Sequence, residues 1–319
     1  MQAIKLFEQN KLSASFFARR MLVLFIIGVL HILLLWSGDV VHLYAILGLL
    51  TTLLIKRSNK LILVLAVFFL LFPFYDQLVE YFFRLIHFHP ETYLSEYTGE
   101  TANQVIKNGG YLEGLKLRTL EYLSNTPMLF GFLAPIALSM FLFGLYLGKN
   151  KIHESLESFI YRIRKPAIVI AILTNVYRVL FLFVLTKTEI YRTEEIRMLF
   201  IKLMVISDVA MGLFYLWGIG WLWYRTGFRR ILIPLKYIGR MALTNYILQS
   251  FIGLLLFSSL GFKLYETMSP SQTLMVACAV FVVQIVLSKI WLTYFRFGLL
   301  EWIWRCLTYR KLLPIRKQT

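Results

Sequence analysis

The chain has 319 residues and is 59% hydrophobic, 16% aromatic and only 16% charged, with a mean hydropathy of +0.68. Soluble domains are about 45–50% apolar and about 25% charged. This composition therefore excludes a water-soluble protein, a disordered chain, a coiled coil and a disulfide scaffold. The net charge of +17 is explained by membrane topology, as described below, and we expect no nucleic-acid partner.

Eight apolar stretches approach the length of about 20 residues that a helix needs to cross a bilayer. They lie at 21–37, 43–55, 61–75, 127–148, 166–186, 198–223, 237–261 and 272–297. None of them alternates apolar and polar residues as the strands of a membrane barrel do. The sequence therefore predicts an all-α polytopic membrane helix bundle with about eight transmembrane helices, forming a single domain over 1–319.

The Lys and Arg residues are distributed unevenly between the loops. With a cytoplasmic N-terminus, the inner segments carry 22 of the 34 basic residues and the outer loops carry 8. Because basic loops stay on the cytoplasmic side, both termini are predicted to be cytoplasmic. Residues 76–126 then form an outer loop, with a surface helix predicted from position 111 to 123. Residues 298–319 form an interfacial tail on the inner side.

Arg178 and Asp208 are charged residues inside predicted spans, where a charge costs about 2.5–3.5 kcal/mol. Counted from the ends of their adjacent stretches, the two lie at a similar depth. Asn175 shares a helix face with Arg178 at the i, i+3 spacing. The sequence predicts a buried cluster of Asn175, Arg178 and Asp208. It serves either as an ion pair that fixes helix packing or as a binding site for a substrate anion or an acyl carbonyl.

The seventh stretch carries the conspicuous pattern GRMALTNYILQS at 239–250. Asn245 and Gln249 lie on one helix face, and Arg240 precedes them at the cytoplasmic mouth. The two amides either tie helices together by hydrogen bonds or line a polar channel in which Arg240 holds a phosphate or carboxylate. Beyond the last stretch, Glu301 and Arg305 are predicted to pair at i, i+4.

The first stretch holds His31 near its middle, and Asp39 and His42 follow at its predicted outer end. An imidazole, with an ordinary pKa of about 6.5, can act as a general base or a nucleophile. The alternative is a histidine that only makes structural hydrogen bonds. Asp39 and His42 share a face only if the helix continues through both. The His-x-His pattern at 87–89 is too weak to assign a metal site.

Three parts of the chain together resemble the YeiB-like family of bacterial inner-membrane proteins, a domain-of-unknown-function family. They contain GVLHILLLWSGD at 28–39, GRMALTNYILQS at 239–250 and FRFGLLEWIWRCLTY at 295–309. The family's usual GPLEW pattern reads GLLEW here. Members normally begin with a further pair of membrane helices, and the resemblance implies that this chain lacks that pair. It also implies a location in the bacterial cytoplasmic membrane.

The family is distantly similar to transmembrane acyltransferases, which implies transfer of an acyl group from cytoplasmic acyl-CoA to an acceptor on the outer side. On this hypothesis Arg240 docks the anionic part of acyl-CoA, and His31 or His42 acts on the acceptor. We expect His31, Arg240 and the two amides at 245 and 249 to face one continuous cavity.

Whether the chain is an enzyme stays open at this level. The alternatives are a transporter or exporter of a small anionic or amphipathic metabolite, held by Arg178 and Asp208, and a non-enzymatic membrane subunit. The expected partners are the lipid bilayer and a small-molecule or lipid-like ligand. Assembly into a homo-oligomer also stays open.

Overall fold

A computed structural model describes residues 14–317, which form 15 α-helices joined by short turns and single helical turns. Over this range the β-structure is limited to one isolated bridge, between Phe295 and Arg316. The predicted all-α membrane helix bundle is confirmed.

The helices are α1 (Ala14–Leu34), α2 (Val41–Leu53), α3 (Asn59–Leu71), α4 (Tyr75–Leu85), α5 (Gly99–Asn108), α6 (Tyr111–Ser124), α7 (Ala134–Lys149), α8 (Leu156–Arg162), α9 (Arg164–Phe183), α10 (Glu194–Trp223), α11 (Thr226–Leu232), α12 (Leu235–Arg240), α13 (Ala242–Phe257), α14 (Pro270–Tyr294) and α15 (Leu299–Tyr309).

The number of spans differs from the eight that the sequence predicts. Among the described residues, five helices are long and apolar enough to cross a membrane, or up to six if α3 and α4 form one bent span. Helices α2 and α13 are apolar but have only 13 and 16 residues. At about 1.5 Å per residue, they fall short of a hydrocarbon core of about 30 Å.

The third predicted span is broken at Pro73. Helices α3 and α4 meet at a bend of 83°, and Phe72 at the end of α3 is extended, with a ψ of 122°. Proline has no backbone N–H and disfavours the helical conformation of the residue before it. The Phe72-Pro73-Phe74 sequence therefore ends α3 early and turns the chain.

The described chain divides into two contact units, and contact unit 1 comprises residues 53–78 and 131–232. In this unit α3 packs against α7, and α9 packs against α10. The Ser139 hydroxyl donates to the Ala66 carbonyl at 2.7 Å, and both residues are fully buried. The Lys149 ammonium donates to the Ile55 carbonyl at 2.9 Å. The first bond joins α3 to α7, and the second joins the end of α7 to the turn that precedes α3.

Contact unit 2 comprises residues 14–52, 79–130 and 233–317 of the described chain. In this unit α1 packs against α15 and α6. The Trp304 indole donates to the Arg20 carbonyl at 2.8 Å, and Arg19 Nε donates to the Thr308 carbonyl at 2.6 Å. The first and last described helices are thereby joined. The single domain over 1–319 stays a prediction.

A helix is present where one was predicted from position 111 to 123, as α6, and it covers the end of α1. The Tyr111 hydroxyl donates to the Leu34 carbonyl at 3.0 Å, and Ser37 Oγ donates to Glu121 at 2.7 Å. Leu117 is buried. Helix α6 therefore supplies a wall to the polar residues that lie where α1 ends.

Candidate functional site

A cluster of buried polar side chains lies where α1 ends and α2 begins. His31, Asp39 and His42 are 2%, 1% and 3% exposed. Helix α1 ends at Leu34 and α2 starts at Val41, so the helix does not continue and the i, i+3 relation of Asp39 and His42 does not apply. Instead, the turn at 35–40 brings Asp39 back against the last turn of α1.

His31 and Asp39 form a buried pair, with 3.2 Å between His31 Nδ1 and Asp39 Oδ1 and no exposure of either side chain. The Tyr246 hydroxyl of α13 donates to the same carboxylate oxygen at 2.7 Å. Burial alone would raise the pKa of Asp39, but the His31 ring, the Tyr246 hydroxyl and a backbone N–H at 41 outweigh it and lower the pKa. Asp39 therefore stays ionised.

Three side-chain atoms of this pair are buried with no hydrogen bond to any residue in 14–317: His31 Nδ1, His31 Nε2 and Asp39 Oδ2. Buried polar atoms without a partner are rare and call for an explanation. His31 Nδ1 is near the carboxylate but not aligned for a hydrogen bond, a geometry that often tightens only when substrate binds. A base held by a third group is the arrangement that activates a nucleophile.

The second histidine of the cluster contacts α6. His42 Nε2 lies 2.9 Å from the Tyr122 hydroxyl. Burial and the nearby Asp39 carboxylate raise the pKa of Tyr122, so its hydroxyl stays protonated. A Cβ on Gly28 would lie 2.4 Å from the His42 backbone nitrogen, so only glycine allows α1 to approach α2 this closely.

The amides of α13 bind the neighbouring helix α14. Asn245 Nδ2 donates to Ser288 Oγ at 2.9 Å, and Gln249 Nε2 donates to Gln284 Oε1 at 2.8 Å. Gln284 Nε2 donates in turn to the Asn245 carbonyl at 3.0 Å. The geometry favours the helix-tying alternative for Asn245, which is 5% exposed.

Glu301 has a different partner from the one predicted. Its carboxylate accepts the Leu243 and Thr244 backbone N–H groups at 2.7 and 3.0 Å and the Thr244 hydroxyl at 2.5 Å. It therefore caps the N-terminus of α13, where backbone N–H groups have no helical partner. The predicted pair with Arg305 is not formed, and the Arg305 guanidinium lies 4.6 Å from the centre of the Phe297 ring.

His31, Asn245 and Arg240 line none of the three cavities described in contact unit 2, and the single cavity expected to join His31 to Arg240 stays a prediction. Contact unit 2 contains cavities of about 570, 190 and 280 Å³, and of the four expected residues only Gln249 lines one of these three, the 280 Å³ cavity. Asn245 is bonded to α14 instead. Arg240 is exposed and donates to the Arg296 carbonyl at 3.1 Å.

The cavity of about 190 Å³ lies beside the His31 cluster. It is lined by Trp36, Ser37, Arg118 and Glu121 among others, and the Trp36 ring is 6.4 Å from the His31 ring between centroids. Arg118 Nη2 is buried and makes no hydrogen bond within residues 14–317. Trp36 therefore lines this cavity on one side and contacts the His31 ring on the other.

Arg178 and Asp208 pair as predicted but are not buried. The distance from Arg178 Nη2 to Asp208 Oδ1 is 3.3 Å, and the side chains are 33% and 53% exposed. Asn175 does not join them, because its Nδ2 donates to the Ala171 carbonyl at 2.8 Å and lies 2.9 Å from Met211 sulfur. The predicted buried cluster of three is thus an open pair in contact unit 1.

This open pair is expected to couple modestly in a double-mutant cycle. Polar contacts between membrane helices average about 0.6 kcal/mol and reach about 1.7, so we expect about 0.5–1.5 kcal/mol between Arg178→Met and Asp208→Leu. Unfolding in detergent micelles measures it. The exposed pair of Glu189 and Arg192 is the control, with no more than about 0.5 kcal/mol. Additive losses at 178 and 208 would contradict the pairing.

Sequence reasoning missed Tyr122 and Tyr246 as members of the cluster. Tyr246 stands beside Asn245 in the NYILQS pattern, where a hydroxyl between two amides is a usable signal. Tyr122 lies in a loop helix far from any span predicted for the site, and its role depends on how α6 folds back over α1.

In a comparison with protein families, residues 147–311 match the model described as "Protein of unknown function (DUF418)". The match covers about half of the chain and includes α13 to α15. No solved structure matches the chain.

Among curated proteins, the uncharacterised protein YxaH of Bacillus subtilis is 28% identical over 327 aligned positions, covering 98% of this chain and 76% of YxaH. An uncharacterised 39.9 kDa protein from the amylase 3′ region of Bacillus acidopullulyticus is 46% identical over 87 residues, 25% of its length. The uncharacterised protein YeiB of Escherichia coli is 40% identical over 90 residues, 23% of its length.

Proposed function

Because this chain belongs to the DUF418 family of proteins of unknown function, we propose its function from its own geometry: a membrane-embedded acyltransferase that moves an acyl group from acyl-CoA to an acceptor hydroxyl. The observation that carries the proposal is the buried pair of His31 and Asp39, 3.2 Å apart, in which His31 Nε2 makes no hydrogen bond with any described residue. A general base needs such a free nitrogen and a neighbour that stabilises its protonated form.

In the proposed reaction, His31 Nε2 takes the proton of the acceptor hydroxyl while the oxygen attacks the thioester carbonyl. A C–O bond forms, the C–S bond breaks, and the leaving sulfur takes the proton back from the imidazolium. Asp39, kept ionised by its contacts, stabilises the imidazolium and fixes the ring. Tyr246 holds the carboxylate in place through its 2.7 Å hydrogen bond. His42, paired with Tyr122, is the second candidate base.

We further propose that the protein lies in the bacterial cytoplasmic membrane, with both termini inside and residues 76–126 outside. The excess of basic residues in the segments assigned to the inside supports this orientation. Helix α6 belongs to that outer segment, so the cavity of about 190 Å³ beside Trp36 is the proposed entry for the acceptor. Arg240 is exposed and keeps further donors for the anionic part of acyl-CoA.

The test is acyl transfer in sealed proteoliposomes that contain the purified protein. Radiolabelled acyl-CoA is supplied on one side and polyols are supplied on the other. We expect labelled ester on the acceptor side and free CoA on the donor side. Ester that does not exceed the yield of empty liposomes would overturn the proposal. Uptake of intact label without a new ester would support the transporter alternative.

The acceptor side and the donor side of the membrane are identified by cysteine labelling in a variant that lacks Cys278 and Cys306. Gln104→Cys should react from the acceptor side, and Ser158→Cys should react from the donor side, since both native side chains are exposed. The opposite labelling pattern would reverse the proposed orientation.

A further inference from the structure

The largest of the three cavities in contact unit 2 has a volume of about 570 Å³. This volume falls within the range of about 300–1,000 Å³ that is typical of ligand sites. Its apolar walls come from α1 and α2 and include Met21, Leu22, Phe25, Ala45, Ile46 and Leu49. Because Leu22, Ile46 and Leu49 are 57%, 39% and 42% exposed, the cavity is open along apolar helices. A hydrocarbon chain can enter it from the side.

One end of this cavity is basic. Arg19 and Arg310 both line it, and Arg19 Nε donates to the carbonyl of Thr308, two residues before Arg310. The two arginines are therefore brought together by the packing of α1 against α15. Neither takes part in the ion pairs found within residues 14–317, so their charge is not neutralised by a carboxylate there.

The apolar part of the cavity begins one turn beyond Arg19. Leu22 and Phe25 follow it at i+3 and i+6, which corresponds to about 4.5 and 9 Å along α1. The cavity is thus charged at one end and apolar along the rest. A ligand that fits must carry an anionic group at one end and a hydrocarbon chain behind it.

We propose that this cavity binds one molecule of an anionic phospholipid, with its phosphate between Arg19 and Arg310 and an acyl chain along α1 and α2. Guanidinium groups bind phosphate oxygens in bidentate fashion, and basic pockets between membrane helices hold anionic headgroups. Further positive charge nearby, including Arg20 stacked 4.2 Å from the Trp304 ring centre, disfavours a headgroup that carries an ammonium. This inference does not depend on acyl transfer.

The test is native mass spectrometry of the detergent-purified protein with phosphatidylglycerol and with phosphatidylcholine of the same acyl chains. We expect one retained phosphatidylglycerol, with phosphatidylcholine bound at least about tenfold more weakly. Arg310→Asn removes one of the two guanidinium groups that bind the phosphate. It should weaken the binding of phosphatidylglycerol about 10- to 100-fold. Asparagine tolerates the left-handed backbone at this position, where φ is 53°.

The matched control is Lys311→Asn, which removes the same charge from the adjacent exposed residue and should leave lipid binding unchanged. A second pair of variants tests the apolar part of the cavity, where the acyl chain of the lipid is proposed to bind. Ala18→Trp places a large ring in the cavity and should abolish the retained lipid. Leu30→Trp, also at an exposed position on α1, should not.

Three results would overturn the proposal. They are equal retention of the two lipids, equal effects of Arg310→Asn and Lys311→Asn, and an unchanged lipid in Ala18→Trp. Stoichiometric displacement of the phospholipid by palmitoyl-CoA would also overturn it, because the cavity would then belong to the acyl donor. Acyl transfer can fail in the proteoliposome assay without affecting any of these outcomes.

Discussion

We expect His31→Gln to lower the rate of the proposed acyl transfer by about 10²- to 10⁴-fold, the range that general bases contribute. Glutamine keeps a polar group in the buried position but cannot take a proton from the acceptor. Asp39→Asn should lower the rate comparably, because an amide does not stabilise the imidazolium and favours the wrong tautomer. Initial rates in proteoliposomes, at saturating acyl-CoA, measure both effects.

The control for this prediction is His89→Gln. His89 is an exposed histidine whose Nδ1 lies 3.3 Å from an exposed Glu91, so its loss should not change the rate. The thermal unfolding midpoint of each variant shows whether it is folded. A folded His31→Gln variant with wild-type activity would remove His31 as the base, and His42→Gln would then be the next variant to measure.

We expect Glu301→Ala to destabilise the protein by about 3 kcal/mol. The side chain accepts two backbone N–H groups and one hydroxyl, and hydrogen bonds to a charged group are worth about 1.5–3 kcal/mol each without being additive. Glu301→Gln keeps an accepting oxygen but loses the charge, so about half of the loss is expected. Unfolding of the purified protein in mixed micelles measures the difference.

Glu113 provides the comparison for this cap. Its carboxylate accepts the Gly110 N–H at 2.8 Å at an exposed helix start, where Glu113→Ala should cost about 0.5–1 kcal/mol. Equal losses at 113 and 301 would mean that Glu301 acts as an ordinary surface cap and that its role between α13 and α15 has been overestimated.

The contact between Glu301 and the start of α13 explains why the GLLEW and GRMALTNYILQS patterns occur together in this chain. Glu301 and Gly298 belong to GLLEW, and Thr244 belongs to GRMALTNYILQS. A Cβ on Gly298 would meet the Glu301 carboxylate and Thr244 Oγ1, the latter at 2.8 Å, so this glycine gives the carboxylate room to reach α13. The Leu300 N–H also donates to Thr244 Oγ1 at 3.0 Å. Residues of the two patterns therefore contact each other and hold the start of α13 against the start of α15.

Composition and apolar stretches were sufficient to predict the all-α membrane fold, and each of the eight stretches contains a helix. They could not give the number of spans. The break at Pro73 lies inside one stretch, and α2 and α13 end sooner than their apolar residues do. Hydropathy measures how well a segment tolerates lipid, whereas capping and proline chemistry decide where its helix stops.

The candidate site was also predictable only in part, because sequence spacing reveals local contacts but not contacts between distant segments. His31 and Asp39 are eight residues apart, and a polar turn after an apolar helix brings such residues together. Tyr246 reaches Asp39 across 207 positions, which no local spacing reveals. The pairing of Arg178 with Asp208 followed from their depth along adjacent helices. The position of a residue along its helix does not determine whether its side chain points into the bundle or outward. The exposure of Arg178 and Asp208 was therefore not predictable.

The cap of α13 has a consequence for the synthesis of the chain. Glu301 follows Leu243 by 58 positions, so α13 leaves the ribosome well before the residue that completes its first turn. Until then its leading N–H groups must be satisfied by water or by the translocation machinery. The final structure of α13 is therefore completed only after α14 has been made, which orders the last steps of membrane assembly.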